Sequence, residues 1–284
     1  MKLSIVMPSF NQVEFIAAAL RSVLDQSCDD CEVIVIDGGS TDGSLDVIAS
    51  FRDRLTHVVS EPDEGQSHAL EKGFSLAKGE FLTWLNSDDL LMPGAISSVF
   101  RALDDDRNCD WILGNVALID RDGWVLCGRK GAAASRFWQK FGVFTAAGPS
   151  AFFSRRLYEK VGGINRSLHY KMDTDLWWRF LLSGAQYWRL EGYTWGLRLH
   201  SQAKTSAHLF QPRDDPRTQL TLAVQRREQQ AIEALMAQAG VAFPKLAKAA
   251  GRVHRGLSPS FYKSLRDTRR FSGRHVEDVF GRLK

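Results

Sequence analysis

The chain has 284 residues, of which 44% are hydrophobic and 25% are charged, a composition typical of a folded globular protein rather than a disordered or fibrous one. Its formal net charge is +4. No apolar run reaches the roughly 18 residues that span a bilayer, and Pro8 interrupts the first hydrophobic stretch too early for a signal-peptide core, so we expect a cytoplasmic protein.

The first 120 residues alternate β-rich runs with helical patterns. This alternation predicts right-handed β-α-β units and a mostly parallel sheet covered by helices, and therefore an α/β fold. The predicted strands are LSIVMPS (3–9), CEVIVID (31–37), LTHVVSE (55–61) and EFLTWL (80–85). The predicted helices are VEFIAAALRSVLDQ (13–26), LDVIASF (45–51), GQSHALEKGFSLAKG (65–79) and residues 93–103.

The four cysteines are Cys28, Cys31, Cys109 and Cys127. Cys28 and Cys31 form a lone C-x-x-C pair, and no second pair of cysteines or histidines has zinc spacing. The sequence therefore predicts reduced thiols without a metal or redox role.

A mixed or antiparallel region is predicted after the first four strands. Asp122-Gly123 is a hairpin signal between the strands WILGNVALID (111–120) and WVLCGRK (124–130). The elements predicted next are the strand SAFFS (150–154), the helices RRLYEKVGG (155–163) and TDLWWRFLLSG (174–184), and the strand QYWRLEGYTWGLRLH (186–200). Together these segments predict one domain over residues 1–205.

Residues 206–284 are predicted to form a basic, mainly helical extension. Residues 241–284 hold 11 lysines and arginines against 3 acidic residues, so this segment carries +8 and the rest of the chain −4. One interpretation is peripheral contact with the cytoplasmic face of the inner membrane, where each cation contributes about 1 kcal/mol. The other is a solvated appendage or homodimer contact. No nucleic-acid-binding module accompanies the charge, so no nucleic acid is expected as a partner.

Polar and acidic residues follow all four predicted parallel strands. The four segments are PSFN (8–11), DGGSTDG (37–43), EPDEGQ (61–66) and NSDD (86–89). Turns and helix caps explain each one separately, and Asp88 and Asp89 would then cap the helix that follows Pro93. Their coincidence at one sheet edge favours a ligand-binding site. No G-x-G-x-x-G follows the first strand, which argues against an NAD or FAD enzyme.

Four longer segments together resemble the family 2 glycosyltransferases. They are SIVMPSFNQ (4–12), EVIVIDGGSTDGSLDVI (32–48), EPDEGQSHALEKGFSLAKGEFLTWLNSDD (61–89) and VGGINRSLHYKMDTDLWWRFLLSG (161–184). The resemblance implies the GT-A fold, a Rossmann-like mixed sheet flanked by helices. It also implies an inverting enzyme that moves a sugar from a nucleoside-diphosphate donor, with a UDP-sugar favoured, to a glycan or lipid-linked acceptor. The implied cofactor is Mn²⁺ or Mg²⁺, and the implied context is surface polysaccharide or lipopolysaccharide assembly.

The resemblance also implies donor-binding residues at the strand ends. Phe10 occupies the position of an aromatic residue that packs on the base, with Pro8 and Asn11 beside it. The residues at positions that contact the nucleoside are Asp37, Asp63 and Gln66.

The segment at 86–89 corresponds to the D-x-D motif of the family. Asn86, Ser87 and Asp88 occupy its three positions, and Asp88 matches the metal ligand. Asp89 is expected to touch metal or sugar, or only to cap a helix. Asn86 departs from the pattern because an amide adds no charge, which predicts modest metal affinity. A second departure is Gly38, where the family often has an acid, so that a base contact is either missing or supplied by Asp63.

Inverting transfer needs a carboxylate that takes the proton of the attacking hydroxyl. Asp173 matches the aspartate of the family's Glu-Asp motif, although Met172 replaces the glutamate. Asp175 is the alternative base, and either aspartate would also serve as a helix N-cap.

Two further residues lie in the loop after the last predicted strand. His200 occupies a position where related enzymes place a histidine near the metal or diphosphate, although an isolated histidine is usually structural. Lys204 is expected to meet a phosphate.

Two other functions compete with glycosyl transfer. A sugar nucleotidyltransferase shares the sheet architecture, but it would have a glycine-rich loop where this chain has PSFNQ. A non-catalytic nucleotide-sugar or glycan-binding protein would explain the changes at Asn86 and Met172.

Overall fold

The computed structural model describes residues 2–26, 28–105, 109–131, 150–204, 215–238, 240 and 259–280. Nine strands within these ranges form one sheet. They are β1 (Leu3–Ser9), β2 (Cys31–Asp37), β3 (His57–Ser60), β4 (Phe81–Trp84), β5 (Leu90–Leu91), β6 (Trp111–Ile119), β7 (Val125–Arg129), β8 (Ala151–Ser154) and β9 (Tyr187–Arg198). The helices are α1 (Ile16–Leu24), α2 (Ser44–Ala49), α3 (Gln66–Leu76), α4 (Ala95–Asp105), α5 (Arg155–Lys160), α6 (Met172–Leu182), α7 (Pro216–Gln238), α8 (Pro259–Phe271) and α9 (Val276–Phe280).

The first four strands form the predicted parallel half of the sheet. Their order is β3-β2-β1-β4, and Leu3 pairs with Cys31 on one side and Phe81 on the other. Every residue of β1 is buried, as expected for a strand covered on both faces. The parallel register brings the carboxyl ends of these strands to one edge.

The second half of the sheet is mixed, as the hairpin signal predicted. β8 runs antiparallel to β4 and β6, β7 pairs with β6 as a hairpin, and β9 runs parallel to β6. β5 pairs antiparallel with β9 directly after Asp89 and before α4. Asp88 and Asp89 therefore do not cap α4, and the capping interpretation is wrong because a strand and a turn separate them from that helix.

Aromatic side chains hold α6 against the sheet. Trp177 of α6 stacks on Trp84 with ring centroids 5.5 Å apart, and it also contacts Trp111, Phe153 and Phe180. All five side chains are almost completely buried. Burying each large apolar side chain contributes roughly 1.5–3 kcal/mol. This cluster therefore packs α6 tightly against the sheet at the end of β4.

Helices of the C-terminal extension pack on two parts of the sheet domain. Ile232 and Met236 of α7 form a buried cluster with Trp178 of α6. Asp267 of α8 lies 3.1 Å from the Lys130 ammonium group, just beyond β7. The predicted helical character of the extension is thus confirmed for the part that is described.

The predicted domain boundary near residue 205 falls outside the described residues, so the division into 1–205 and 206–284 stays a prediction. In the described ranges, no helix combines the length and apolarity needed to cross a membrane.

Cys28 and Cys31 form a disulfide in the turn between α1 and β2, so the prediction of reduced thiols is wrong for this pair. The turn brings their Cα atoms to 5.4 Å, within the range that a disulfide bridges. The C-x-x-C spacing alone does not show whether its two cysteines are free thiols or joined by a disulfide. Cys109 and Cys127 are thiols.

Candidate active site

A cavity of about 490 Å³ opens where β1, β2, β3 and β4 end, the edge at which open α/β sheets bind ligands. The prediction that the four polar segments meet is therefore confirmed. The predicted site residues that line the cavity are Pro8, Phe10, Asp63, Gln66, Asn86, Ser87, Asp88, Asp89 and Lys204. The predicted site residues outside the lining are Asn11, Asp37, Asp173, Asp175 and His200.

Asp37 and Asn11 shape the loops that frame the cavity. The buried Asp37 carboxylate accepts hydrogen bonds from the backbone N–H groups of Gly39 and Ser40 at 3.0 and 2.8 Å, and from the Ser60 hydroxyl at 2.9 Å. Asn11 has a left-handed backbone with φ of 52°, and its Oδ1 accepts from the Thr41 N–H at 2.9 Å. Both side chains thus form hydrogen bonds within the protein, and these bonds hold the two loops in their conformation.

Phe10 lies at the cavity with 58% of its surface exposed. A large aromatic ring that protein atoms leave uncovered beside a polar cavity is suited to packing on another planar group. Pro8 lines the same wall.

Gly38 leaves room for the carboxylate of Asp63. A Cβ at position 38 would lie 2.8 Å from Asp63 Oδ2, which is closer than carbon and oxygen normally approach. Asp63 is held there because its Oδ1 accepts from the Gly65 N–H at 2.7 Å. The glycine at the end of β2 and the acid after β3 are therefore linked, and Asp63 occupies the space beside position 38.

Gln66, Asn86 and Asp89 form a chain of hydrogen bonds along the cavity wall. Gln66 Nε2 donates to Asn86 Oδ1 at 2.6 Å, and Asn86 Nδ2 donates to Asp89 Oδ2 at 2.9 Å. An aspartate at position 86 would lack that second donor and would add a third carboxylate beside Asp88 and Asp89. The amide therefore fits its neighbours better than the first acid of D-x-D would.

Asp89 anchors β9 to this wall. Its carboxylate, 1% exposed, also accepts from Trp195 Nε1 at 3.0 Å and from the Arg198 N–H at 2.9 Å. Burial, together with the neighbouring charge of Asp88, raises the pKa of Asp89 to about 8. Both oxygens of Asp89 thus accept hydrogen bonds from protein donors, which join β9 to the cavity wall.

Asp88 and His200 are neighbouring side chains that could ligate a divalent cation together. Asp88 lines the cavity, and His200 Nε2 lies 3.2 Å from its Oδ2 while the imidazole packs on Phe15. One carboxylate and one imidazole suit Mn²⁺. Within the described ranges, no cluster of three or more His, Cys, Asp or Glu side chains could hold a metal alone. A cation here would therefore draw its other ligands from a bound diphosphate and water.

Arg198 is a cavity residue that the sequence analysis missed. It lines the cavity at the end of β9, where its Nε donates to the Asp88 carbonyl oxygen at 2.8 Å. Its guanidinium also lies over the Phe15 ring, 5.1 Å from the centroid. His169 is a second missed lining residue. An arginine within an alternating strand carries no local signal of function, so only the sheet pairing identifies it.

Asp173 and Asp175 lie in the first turn of α6 and have different partners. Asp175 Oδ2 accepts two hydrogen bonds from Arg179, at 2.6 and 2.9 Å. Asp173 Oδ1 accepts from the Thr174 N–H at 2.6 Å, while its Oδ2 has no hydrogen-bond partner among the described residues. Burial raises the pKa of Asp173.

Lys204 lines the cavity beside Tyr170 and Gln66. The residue is exposed as a whole, yet its ammonium lies 5.6 Å from the centre of the Tyr170 ring and donates to Gln66 Oε1 at 3.3 Å. Loss of solvent around the ammonium lowers the pKa of Lys204 to about 8, although the charges of Glu228, Asp173 and Asp63 oppose this shift. The Lys204 ammonium thus brings a positive charge to the cavity lining, and it interacts electrostatically with Asp173.

Comparison with known proteins identifies the family. Residues 4–162, more than half of the chain, match the model described as Glycosyl transferase family 2. The chain belongs to glycosyl transferase family 2. An uncharacterized glycosyltransferase of Rickettsia prowazekii is 27% identical to this family 2 chain over 215 residues, which cover 73% of the chain and 67% of that protein. The chain spans less of some other curated relatives, 60% in the case of a Rickettsia typhi glycosyltransferase.

Solved structures share the fold of this family 2 chain. TarS of S. aureus in complex with UDP-GlcNAc aligns with a TM-score of 0.62 at 16% identity, covering 98% of this chain and 84% of that one. The mannosyltransferase PcManGT of Pyrobaculum calidifontis, in complex with GDP-Man and Mn²⁺, aligns with a TM-score of 0.54 at 17% identity, covering 94% and 87%. The predicted GT-A fold is thus confirmed.

Proposed function

We propose that the protein is an inverting glycosyltransferase that moves a sugar from a nucleoside-diphosphate donor, with a UDP-sugar favoured, to a hydroxyl of a glycan or lipid-linked acceptor. The main support is the cavity at four strand ends, which combines an exposed aromatic ring, carboxylates and cations. Family membership supports the reaction class. The ligands named for TarS and PcManGT support a sugar nucleotide as donor. The proposed context is surface polysaccharide or lipopolysaccharide assembly.

The donor would lie along the cavity from Phe10 towards Lys204. Phe10 packs on the base, and Asp63 accepts hydrogen bonds from the nucleoside. The diphosphate then faces the cations of Arg198 and Lys204, which attract its negative charge. Phe10, Asp63, Arg198 and Lys204 all line the cavity, which supports this assignment of roles.

Mn²⁺ or Mg²⁺ would be held by Asp88 and His200 together with diphosphate oxygens. The bound cation would neutralise the charge that develops on the leaving nucleoside diphosphate. Arg198 and Lys204 add positive charge on the same side, which compensates for the neutral Asn86.

Asp173 is the proposed base. One of its oxygens accepts no hydrogen bond from the described residues, and its raised pKa makes it a better proton acceptor than an ordinary aspartate. Asp175, the alternative base, is held in an ion pair with Arg179. Proton removal by Asp173 would accompany attack of the acceptor hydroxyl on the anomeric carbon, and the nucleoside diphosphate would leave from the opposite face.

The C-terminal extension is proposed to contact the cytoplasmic face of the inner membrane peripherally. α8 exposes Leu265, Arg266, Arg269 and Arg270, which combine one apolar side chain with three cations. A surface of this composition binds anionic headgroups.

Turnover of UDP-, GDP- and dTDP-sugars, each with Mn²⁺ and with EDTA, tests the function. We expect release of one nucleoside diphosphate to depend on Mn²⁺. Asp88→Ala should abolish the metal-dependent part of nucleotide binding, whereas Asp104→Ala, which removes an exposed carboxylate outside the cavity lining, should not. Tight nucleotide binding without turnover of any donor would instead identify a non-catalytic binding protein. An unchanged Mn²⁺ response in Asp88→Ala would contradict the metal assignment.

A further inference from the structure

Glu228 is a buried carboxylate of the C-terminal extension that the proposed reaction does not use. It lies in α7 and is 6% exposed. Its two oxygens accept hydrogen bonds from three successive backbone N–H groups: those of His169 at 2.7 Å, Tyr170 at 2.8 Å and Lys171 at 2.9 Å. Hydrogen bonds to a charged acceptor are stronger than neutral ones. Glu228 therefore fixes residues 169–171 with respect to α7.

Residues 169–171 lead directly into α6, which has no side-chain cap of its own. The N-cap residue, Lys171, makes no capping hydrogen bond through its side chain. Glu228, on another helix, accepts from the N–H of the N-cap residue Lys171 and from the two N–H groups before it, and it places negative charge at the positive end of the α6 dipole. Asp173 lies in the first turn of α6, so its position depends on how this segment is held.

The same segment reaches the donor side of the cavity. His169 lines the cavity, and the Tyr170 ring supports the Lys204 ammonium. Lys204 in turn donates to Gln66 at the start of α3. One carboxylate thus holds a segment that lines the cavity at His169, supports Lys204 through Tyr170 and leads into the helix that carries Asp173.

We propose that Glu228 is a positioning residue of the active site, which holds residues 169–171 so that Asp173 and Lys204 face the same bound donor. This inference rests on the proposed glycosyltransferase function. It makes α7, which lies outside the residues matched by the family model, a part of the catalytic unit.

α7 is also held on the sheet domain by contacts that do not involve Glu228. Ile232 and Met236 keep the helix on Trp178 through a buried apolar cluster. Glu228→Gln preserves side-chain size, but the amide has one acceptor oxygen and turns an NH₂ group towards backbone donors. The variant should therefore fold with α7 docked and with residues 169–171 displaced.

The test compares Glu228→Gln and Glu228→Asp with Glu233→Gln. Glu233 lies on the same helix and accepts a hydrogen bond from Gln229, so its variant is a matched loss of charge. We expect Glu228→Gln to lower kcat by on the order of 10- to 100-fold, because small displacements of reacting groups have effects of this size. The KM for the donor should change much less. Glu228→Asp, which retains the charge, should recover part of kcat, and Glu233→Gln should match wild type.

Hydrogen exchange provides a readout that does not require turnover. Amides of residues 169–175 should exchange faster in Glu228→Gln than in Glu233→Gln. Wild-type kcat in Glu228→Gln, or parallel loss of kcat and donor affinity with unchanged exchange at 169–175, would overturn the proposal. If Glu228→Gln fails to unfold cooperatively, Glu228→Asp decides, since wild-type kcat or an unchanged exchange rate in that variant also overturns it. If the wild-type protein turns over no donor, the proposed function fails. Hydrogen exchange at residues 169–175 would still test whether Glu228 holds this segment.

Discussion

Asp173 and Asp175 are separated by one residue, yet their surroundings give them different chemistry. Arg179 engages one oxygen of Asp175 twice, which stabilises α6 through an i, i+4 pair. Asp173 retains an oxygen without a hydrogen-bond partner in the described part of the chain, and burial raises its pKa. The sequence placed both residues at the start of a helix, but it could not choose between them because the choice depends on their partners.

Asp173→Asn should reduce transfer on the order of 10²- to 10⁴-fold, since it removes a general base. Donor affinity, measured by calorimetry, should stay near the wild-type value. In the wild-type protein, transfer should fall as the pH drops through the raised pKa of Asp173, because the protonated acid cannot accept a proton. This acid limb should therefore lie above the ordinary aspartate pKa of about 3.9.

Asp175→Asn is the matched control for this substitution. It should lower the melting temperature by breaking the pair with Arg179, and it should retain transfer in the folded protein. Transfer that survives Asp173→Asn and disappears in Asp175→Asn would reverse the assignment.

At the scale of elements, the parallel strands and their polar ends could be predicted from the sequence. Apolar runs of six or seven residues followed by Gly, Asp and Asn identify buried strands and turns without knowledge of tertiary contacts. Distances between the strand ends could not be predicted in this way. The contact between Gly38 and Asp63 depends on the register of β2 and β3. It shows that the Asp63 carboxylate lies where a side chain at position 38 would extend.

Gly38→Ala should weaken nucleotide binding by about tenfold, comparable to the loss of one hydrogen bond to a charged group. The added Cβ would push the Asp63 carboxylate from its place, while the backbone of position 38 needs no change. Gly192→Ala is the control, because a Cβ there meets open space. Equal nucleotide affinity in the two variants, measured by titration, would show that Asp63 does not contact the nucleoside.

The contacts that the sequence analysis missed join distant elements. Arg198 contacts Asp88 across 110 residues, and Glu228 contacts His169 across 59 residues. Neither an arginine in a strand nor a glutamate in an amphipathic helix differs locally from an ordinary surface residue. Such residues become recognisable only when the sheet and the helix packing are known.

At the scale of the whole molecule, the basic extension predicts binding to anionic vesicles. Full-length protein should sediment with vesicles that contain phosphatidylserine and much less with phosphatidylcholine alone, and salt should weaken this binding. Reversing the charges of Arg266, Arg269 and Arg270 should reduce vesicle affinity by on the order of 100-fold, since each contributes about 1 kcal/mol near the surface and about 1.4 kcal/mol is tenfold in affinity.

Equal sedimentation with both kinds of vesicle would contradict membrane contact. Light scattering on the same samples would then test the alternative, in which the extension forms a homodimer.

The hydrogen bond from Trp195 to Asp89 has a consequence for genetics. The residue beside Asp88 is fixed by an indole 106 positions further along the chain, in a strand that carries no motif. A saturation screen for inactive alleles should therefore recover Trp195 in the same phenotypic class as Asp89, because loss of either removes the bond that holds the cavity wall to β9.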